Sequence, residues 1–220
     1  MHSKKYANIT YSQMGEDLHI QRILNSRYGK KITDKGFYLD VGAFHPFKYS
    51  NTFKFYELGW RGINIEPNPE NFKLIEKYRP EDINLNMGVS EKKQVLKYWK
   101  YDRGAFNTFS EAEATELNKR GDLTLEKVLE IETDSLQNIL TKHLPDNTPI
   151  DFISIDVEGL DFQVVKSFDL ETFKPNIICI EENMLIYNHF SESDIYKYLN
   201  DHNYKLQTII GKSNIYIRKS

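Results

Sequence analysis

The chain has 220 residues, 40% of them apolar and 28% charged, with a formal net charge of -3 and a single cysteine. This length suits one domain with a full core and is cramped for two, and the slight acidity offers no basic field for a phosphate backbone, so nucleic acid is set aside as substrate. Cys179 lies in the apolar run 177–180; being alone, it excludes an intrachain disulfide and points to a reducing compartment. No run is long and apolar enough to span a bilayer, and residues 1–11 mix His, Lys, Tyr and Asn where a secretory signal would be apolar. A cytoplasmic protein with one domain over 1–220 is therefore expected, and no feature prescribes an oligomeric state.

In chain order, residues 12–28 open with Ser12 as a start signal, carry Glu16 and Asp17 early, and space Leu18, Ile20, Ile23 and Leu24 for a helix. Strand candidates follow at 37–41, 62–65, 83–89, 150–156 and 176–180, each a short apolar or β-branched run bounded by Gly, Pro, Asn or Asp. Helical patterns lie at 52–58, 69–78 with Pro69 in the first turn, 134–144, 161–168 and 191–200. Such alternation predicts an α/β fold, a mainly parallel sheet with helices on both faces. Residues 204–209 and 215–218, joined by 211–214, read as a hairpin that adds an antiparallel element at one edge. Residues 95–101 alternate like a strand, but 102–120 are polar with Gly104, Asn107 and Thr108, and are expected to be a loop insertion over the site.

The first strand runs into Asp40-Val41-Gly42-Ala43-Phe44-His45-Pro46. A glycine just beyond a strand lets backbone approach a ligand, which makes Gly42 a contact candidate. Glu66 closes the second strand and is followed by Pro67, Asn68 and Pro69; an acid there can accept both hydroxyl protons of a ribose. The G-x-G-x-x-G of dinucleotide enzymes is absent, so an NAD-dependent oxidoreductase is the weaker reading. An adenosine joined to an amino acid fits better, with Asp40 meeting the ammonium directly or through water. Taken singly, Asp40 could cap a turn, Gly42 could serve the backbone and Glu66 could be an exposed strand end; their occurrence at consecutive strand ends favours a ligand site.

The segments Tyr11-Ser12-Gln13-x-Gly15-Glu16-Asp17, Gly36-Phe37-Tyr38-Leu39-Asp40-Val41-Gly42-Ala43-x-His45-Pro46, Ser50-Asn51-Thr52, Gly59-Trp60-Arg61-Gly62, Ile65-Glu66-Pro67-Asn68 and Ile155-Asp156-Val157-Glu158-Gly159 resemble, in this order, the FkbM-type methyltransferases. The resemblance covers residues 11–182. It implies a class I methyltransferase fold (Rossmann-like, with a C-terminal antiparallel hairpin), S-adenosylmethionine as cofactor, and O-methylation of sugars or natural-product hydroxyls. It also places Asp40, Gly42, Glu66 and Pro67 in the cofactor site, with Gln13 and Asn51 as supporting polar contacts and Asn86 beside the adenine. The insertion at 102–120 matches no family motif.

Methyl transfer to an unactivated hydroxyl needs a base or a metal that masks the departing proton. Asp156 and Glu158 after the fourth strand, and Glu181 and Glu182 at the end of the fifth, put acids on the edge that carries Gly42 and Glu66. Asp156 and Glu158 are the catalytic candidates, together with His45, whose ring could equally just shape its turn. An Asp followed by an acid-Asn pair, here completed by Asn183, also resembles the magnesium site of catechol-type O-methyltransferases, so Asp156, Glu181 and Glu182 are candidate ligands for Mg2+ or Mn2+. The remaining histidines, His143, His189 and His202, read as surface residues, with His189 the one possible exception at the site edge. Phe53, Phe55, Tyr56 and Trp60 read as packing, whereas Tyr98, Trp99, Tyr101 and Phe106 border the insertion and are candidate acceptor contacts. The expected substrate is a small molecule or saccharide; a cofactor-binding protein without catalysis is the remaining alternative.

Overall fold

The computed structural model describes residues 7–182 and 189–219. Seven strands form the main sheet: β1 (Phe37–Val41), β2 (Arg61–Ile65), β3 (Ile83–Leu85), β7 (Phe152–Ile155), β8 (Ile177–Glu181), β9 (Tyr204–Ile210) and β10 (Ser213–Arg218). Their order is β3-β2-β1-β7-β8-β10-β9. The first five are parallel, and β10 runs antiparallel to both β8 and β9. This is the expected mainly parallel sheet with a C-terminal antiparallel hairpin. A second sheet, β4-β6-β5, is built from β4 (Gly88–Val89), β5 (Gln94–Tyr101) and β6 (Leu125–Asp134).

β1, β7 and the first four residues of β8 are buried throughout, which is why they read as mainly apolar runs, broken only by Asp40 and Ser154: parallel strands are covered on both faces. On one face Leu39, Val41, Ile63, Ile153, Ile155, Ile178 and Ile180 pack with Leu136, Val164, Val165 and Leu199. On the other, Tyr38, Phe152, Cys179 and Ile215 pack with Ile20, Leu24, Phe55 and Trp60. Each such side chain contributes about 1.5–3 kcal/mol of burial. Several helices start where a short polar side chain caps them. Asn68 accepts from the Glu70 N–H ahead of α3 (Pro69–Tyr78), and Ser135 from the Asn138 N–H ahead of α5 (Leu136–His143). Likewise Ser193 accepts from the Tyr196 N–H at the start of α8 (Asp194–Asp201).

Four expectations need correction. The first helix, α1 (Glu16–Tyr28), starts at a left-handed Gly15, and Ser12 instead bonds the Asp17 carboxylate. The strand expected over 83–89 divides at Asn86: its first part ends the main sheet, and Gly88–Val89 crosses to the small one. β6 was not foreseen, because only Ile131 and Thr133 of its ten residues are buried and its charged residues mask the alternation. The segment 102–120 is not structureless: it holds a 3-10 turn at Gly104–Phe106 and α4 (Glu111–Leu117), capped by Ser110. Two short helices remain, α2 (Phe53–Glu57) and α6 (Asp161–Lys166), with α7 (Leu170–Phe173) too brief to show a period. Among the described residues no helix is long and apolar enough to cross a membrane.

Candidate active site

The strand ends converge by backbone bonds. The Gly42 and Ala43 N–H groups donate to the Ile65 carbonyl, the Glu66 N–H to Leu85, and the Asp156 N–H to Val41. Over these carboxyl-terminal ends lies a cavity of about 250 Å3, roofed by the small sheet and the 104–109 segment. Such a crevice is where open α/β sheets bind ligands. Of the sequence candidates, Gln13, Asp40, Gly42, Asn51, Glu66, Pro67, Asp156, Glu158 and Glu181 line it; His45, Asn86 and Glu182 do not.

Glu66 occupies one end. Its carboxylate accepts from the Phe44 N–H at 2.7 Å and the Asn68 N–H at 2.8 Å, so these two backbone groups fix its direction, and with the Asn71 side chain they leave part of its acceptor capacity free. Burial raises its pKa to about 7, against the pull of those two N–H groups and the Asn71 side chain. Gly42 has φ +82, and a Cβ there would lie 1.9 Å from the Asp156 carbonyl oxygen. The glycine is thus required by the neighbouring strand end, whose carboxylate it lets into the cavity. Asn51 donates to the Ser154 hydroxyl at 3.0 Å.

Asp40 forms part of the floor. It accepts from the Thr52 hydroxyl, and the Arg79 Nη1 stands 3.8 Å away. Arg79 is wholly buried and is held by Asp82 at 3.0 Å and the Tyr38 hydroxyl at 2.8 Å. Burial pushes Asp40 above the usual carboxylate range, with Arg79 opposing. Nothing in the local pattern marks Arg79 beyond its place at the end of α3.

The other end is acidic. Asp156, Glu158 and Glu181 each bring a carboxylate oxygen within 4.8 Å of the others. Asp156 is exposed to the open cavity at the end of β7; desolvation by the cavity walls, then Glu181 and Glu158, push its pKa well up. Glu158 rises to about 8, first through burial and then through Glu181, with Lys212 opposing. Lys212, from the β9–β10 turn, bonds Glu181 at 2.9 Å and lines the same wall. Asp161 braces the turn, accepting from the Val157 N–H at 3.1 Å and the Gly159 N–H at 3.2 Å. Lys212, Glu16, Tyr49 and Phe109 also line the cavity and were not anticipated; only the three-dimensional return of the hairpin brings Lys212 there.

Three candidates are displaced. The His45 Nδ1 accepts from the Phe47 and Lys48 N–H groups at 3.1 and 3.0 Å, making the ring a turn cap whose pKa is lowered by burial and by Lys48. Asn86 donates to the Glu66 and Pro67 carbonyls, bracing the turn after β2 and standing outside the cavity lining. Glu182 turns away to Ser193 and Asn214, so Glu158 replaces it in the carboxylate trio; Asn183 falls outside the described residues. Tyr98 and Phe106 line the cavity, but Trp99 and Tyr101 do not, the Tyr101 hydroxyl being directed to the Ala114 carbonyl in α4. His189 pairs with Glu192 at an exposed site away from the lining.

A model of the methyltransferase FkbM domain matches residues 40–206, three quarters of the chain. The chain belongs to the FkbM methyltransferase family. The matched span runs from the floor of the cavity, Asp40, through both acidic strand ends to the start of the final hairpin. No curated protein matches this FkbM domain in sequence. In fold it is similar to the crystal structure of methyltransferase FkbM from Methylobacillus flagellatus KT, with a TM-score of 0.52 at 13% identity, covering 94% of this chain and 48% of that one. The FkbM domain described here thus spans about half the length of that relative. A precorrin-6y C5,15-methyltransferase from Geobacter metallireducens GS-15 is matched at a TM-score of 0.45 and 12% identity, over 93% of this chain and 87% of that one.

Proposed function

We propose that this chain is an S-adenosylmethionine-dependent O-methyltransferase acting on a hydroxyl of a sugar, nucleotide-sugar or other saccharide-containing metabolite. One observation carries the reading. A single cavity has at one end a buried carboxylate suited to a ribose diol, and at the other a carboxylate trio suited to a hydroxyl proton. The residues fit the cofactor. Glu66 keeps acceptor capacity toward the cavity, Gly42 leaves the backbone bare beside it, and Asp40 offers a carboxylate for an ammonium group. When bound, the cofactor supplies an electrophilic methyl group.

The protein's own part is positioning and proton handling. In-line displacement gains most from holding donor and acceptor aligned, and removing the acceptor proton contributes a further 10²–10⁴-fold at most, roughly. Glu158, with a pKa of about 8, is matched to accept a hydroxyl proton near neutrality, and Asp156 beside it can share that proton. Lys212 holds Glu181 and brings positive charge to the same wall. The trio has the hard oxygen donors that Mg2+ or Mn2+ would need, with Asp156, Glu158 and Glu181 as ligands; the Lys212 ammonium already on Glu181 favours metal-free base catalysis.

Isothermal titration with S-adenosylhomocysteine, with NAD as control, tests the cofactor. Formation of S-adenosylhomocysteine across a panel of sugars and nucleotide-sugars tests the acceptor. NAD binding in place of S-adenosylhomocysteine would return the oxidoreductase reading, and binding without turnover on any hydroxylated acceptor would leave a cofactor-binding protein.

A further inference from the structure

Glu158 is held in an unusual backbone conformation. Its φ is +50, left-handed, which costs a residue with a Cβ about 1–2 kcal/mol. Phe44 and Tyr49 also have positive φ, and all three line the cavity. Residues kept in such conformations persist only where the surroundings impose them, and they gather at functional sites. The surroundings of Glu158 are specific: Asp161 ties the N–H groups on either side of it, and the Thr108 hydroxyl lies 2.7 Å from its carbonyl oxygen.

Thr108 reaches Glu158 from the segment between β5 and α4, fifty positions earlier in the chain. It is 1% exposed and locked in place, its N–H donating to the Trp99 carbonyl at 3.2 Å and its carbonyl accepting from the Trp99 N–H at 2.9 Å. The Ser110 N–H donates to the Thr108 Oγ1 at 3.0 Å, leaving the hydroxyl proton for an acceptor. Two acceptors are in reach, the Glu158 carbonyl at 2.7 Å and the Glu113 Oε2 at 2.9 Å. The carbonyl is the shorter contact.

We propose that Thr108 is a positioning residue for methyl transfer: by donating to the Glu158 carbonyl it holds that backbone left-handed and keeps the Glu158 carboxylate in the trio with Asp156 and Glu181. The proposal rests on the methyl-transfer reading above and adds a coupling to it. Phe106, Asn107 and Phe109 flank Thr108 and line the cavity, so an acceptor seated against them orders the same segment that sets Glu158. Contact with the acceptor and placement of the carboxylate then become one event. Without the hydroxyl, only the Asp161 ties remain, and the Glu158 backbone gains access to the right-handed region, carrying its carboxylate out of the trio.

The test compares Thr108→Val, which keeps the shape and removes the hydroxyl, with Thr108→Ser, which keeps the hydroxyl. By hydrogen-exchange mass spectrometry of the full chain, the peptide spanning 156–161 is expected to exchange faster in Thr108→Val and at the wild-type rate in Thr108→Ser. Glu113→Ala, which removes the competing acceptor, is expected to keep or raise protection. In the acceptor assay, Thr108→Val is expected to lose kcat on the order of 10- to 100-fold with KM for S-adenosylmethionine unchanged, and Thr108→Ser to recover it. Unchanged exchange at 156–161 in Thr108→Val overturns the tether whatever the acceptor assay shows. A uniform rise in exchange across the chain, or equal losses in Val and Ser variants, reduces Thr108 to a packing residue and overturns the proposal too. If the wild-type protein binds S-adenosylhomocysteine and turns over no acceptor, the methyl-transfer reading fails and the catalytic role falls with it; the exchange comparison still decides whether the tether exists.

Discussion

Replacing Gly42 by Ala tests how the two halves of the cavity are joined. The added Cβ would sit 1.9 Å from the Asp156 carbonyl oxygen, and ordinary contact begins at 3.4 Å, so the ends of β1 and β7 must part by about 1.5 Å. These strands are paired neighbours in the middle of the sheet, with the Asp156 N–H bonded to the Val41 carbonyl, so neither can retreat freely. Overpacking of this kind costs about 1–3 kcal/mol, and the left-handed φ of +82 adds about 1–2 kcal/mol for any residue with a Cβ. The expected loss is about 2–5 kcal/mol, a large share of the 5–15 kcal/mol that roughly bounds domain stability. Gly59→Ala is the control: its φ is +90 and nothing lies within 4 Å of the new Cβ, so only the conformational part applies. Urea unfolding measured on both variants isolates the close approach. If Gly42→Ala is within about 1 kcal/mol of Gly59→Ala, the two strand ends can part at little cost and the reasoning fails.

Glu66→Gln is expected to weaken S-adenosylhomocysteine binding about 10- to 100-fold, the range for a hydrogen bond to a charged group, as read by calorimetry. With Glu66 near 7, the wild-type affinity should fall about tenfold from pH 8 to pH 6 as the carboxylate protonates, and the Gln variant should lack that slope. Stability of the ligand-free protein should move the other way. Glu66 and Asp161, both raised to about 7, bind protons more tightly folded than unfolded, so their contribution is full below the unfolded values near 4.5 and 3.8 and is lost as pH rises through 7. The slope is about 1.4 kcal/mol per pH unit for each group between those unfolded values and 7, leaving about 1.4 kcal/mol per group to be lost from pH 6 to pH 8, so calorimetric melting should occur at lower temperature at pH 8 than at pH 6, and Glu66→Gln should remove its own share of the difference. Asp156→Asn should chiefly lower kcat with cofactor affinity kept; the reverse pattern would invert the division of the cavity. Activity should survive EDTA and dialysis, and a loss that Mg2+ or Mn2+ restores would assign Asp156, Glu158 and Glu181 to a metal.

What could be read from the chain was what depends on local pattern. Buried strands such as Ile177–Glu181 announce themselves by apolar runs, and α3 by Asn68 and Pro69 at its start. Asp40, Gly42 and Glu66 were legible because a strand end followed by a turn fixes where a side chain or bare backbone points. β6 was hidden because a strand with few buried residues has no need of apolar alternation. Lys212 and Thr108 were hidden for another reason: each meets the acidic edge through chain return, over 31 and 50 positions respectively. His45 and Asn86 show the converse error. Both are polar groups beside a site whose capacity is taken up by nearby backbone groups, since a buried N–H or carbonyl must be answered by something.

The segment 102–124 leaves and rejoins the small sheet at one place, where Tyr101 pairs with Leu125 and the Asp102 N–H bonds the Thr124 carbonyl. Its ends are clasped, so lengthening the stretch between α4 and β6 costs little: doubling a flexible loop adds only about 0.6 kcal/mol of closure entropy. Insertions or deletions in the part of this excursion beyond α4 are expected to leave the register of the main sheet untouched, since none of its strands lies there. On the function proposed above, variation in acceptor contacts can accumulate in this excursion around the Thr108 tether while the strand ends that carry Asp40, Gly42 and Glu66 stay fixed.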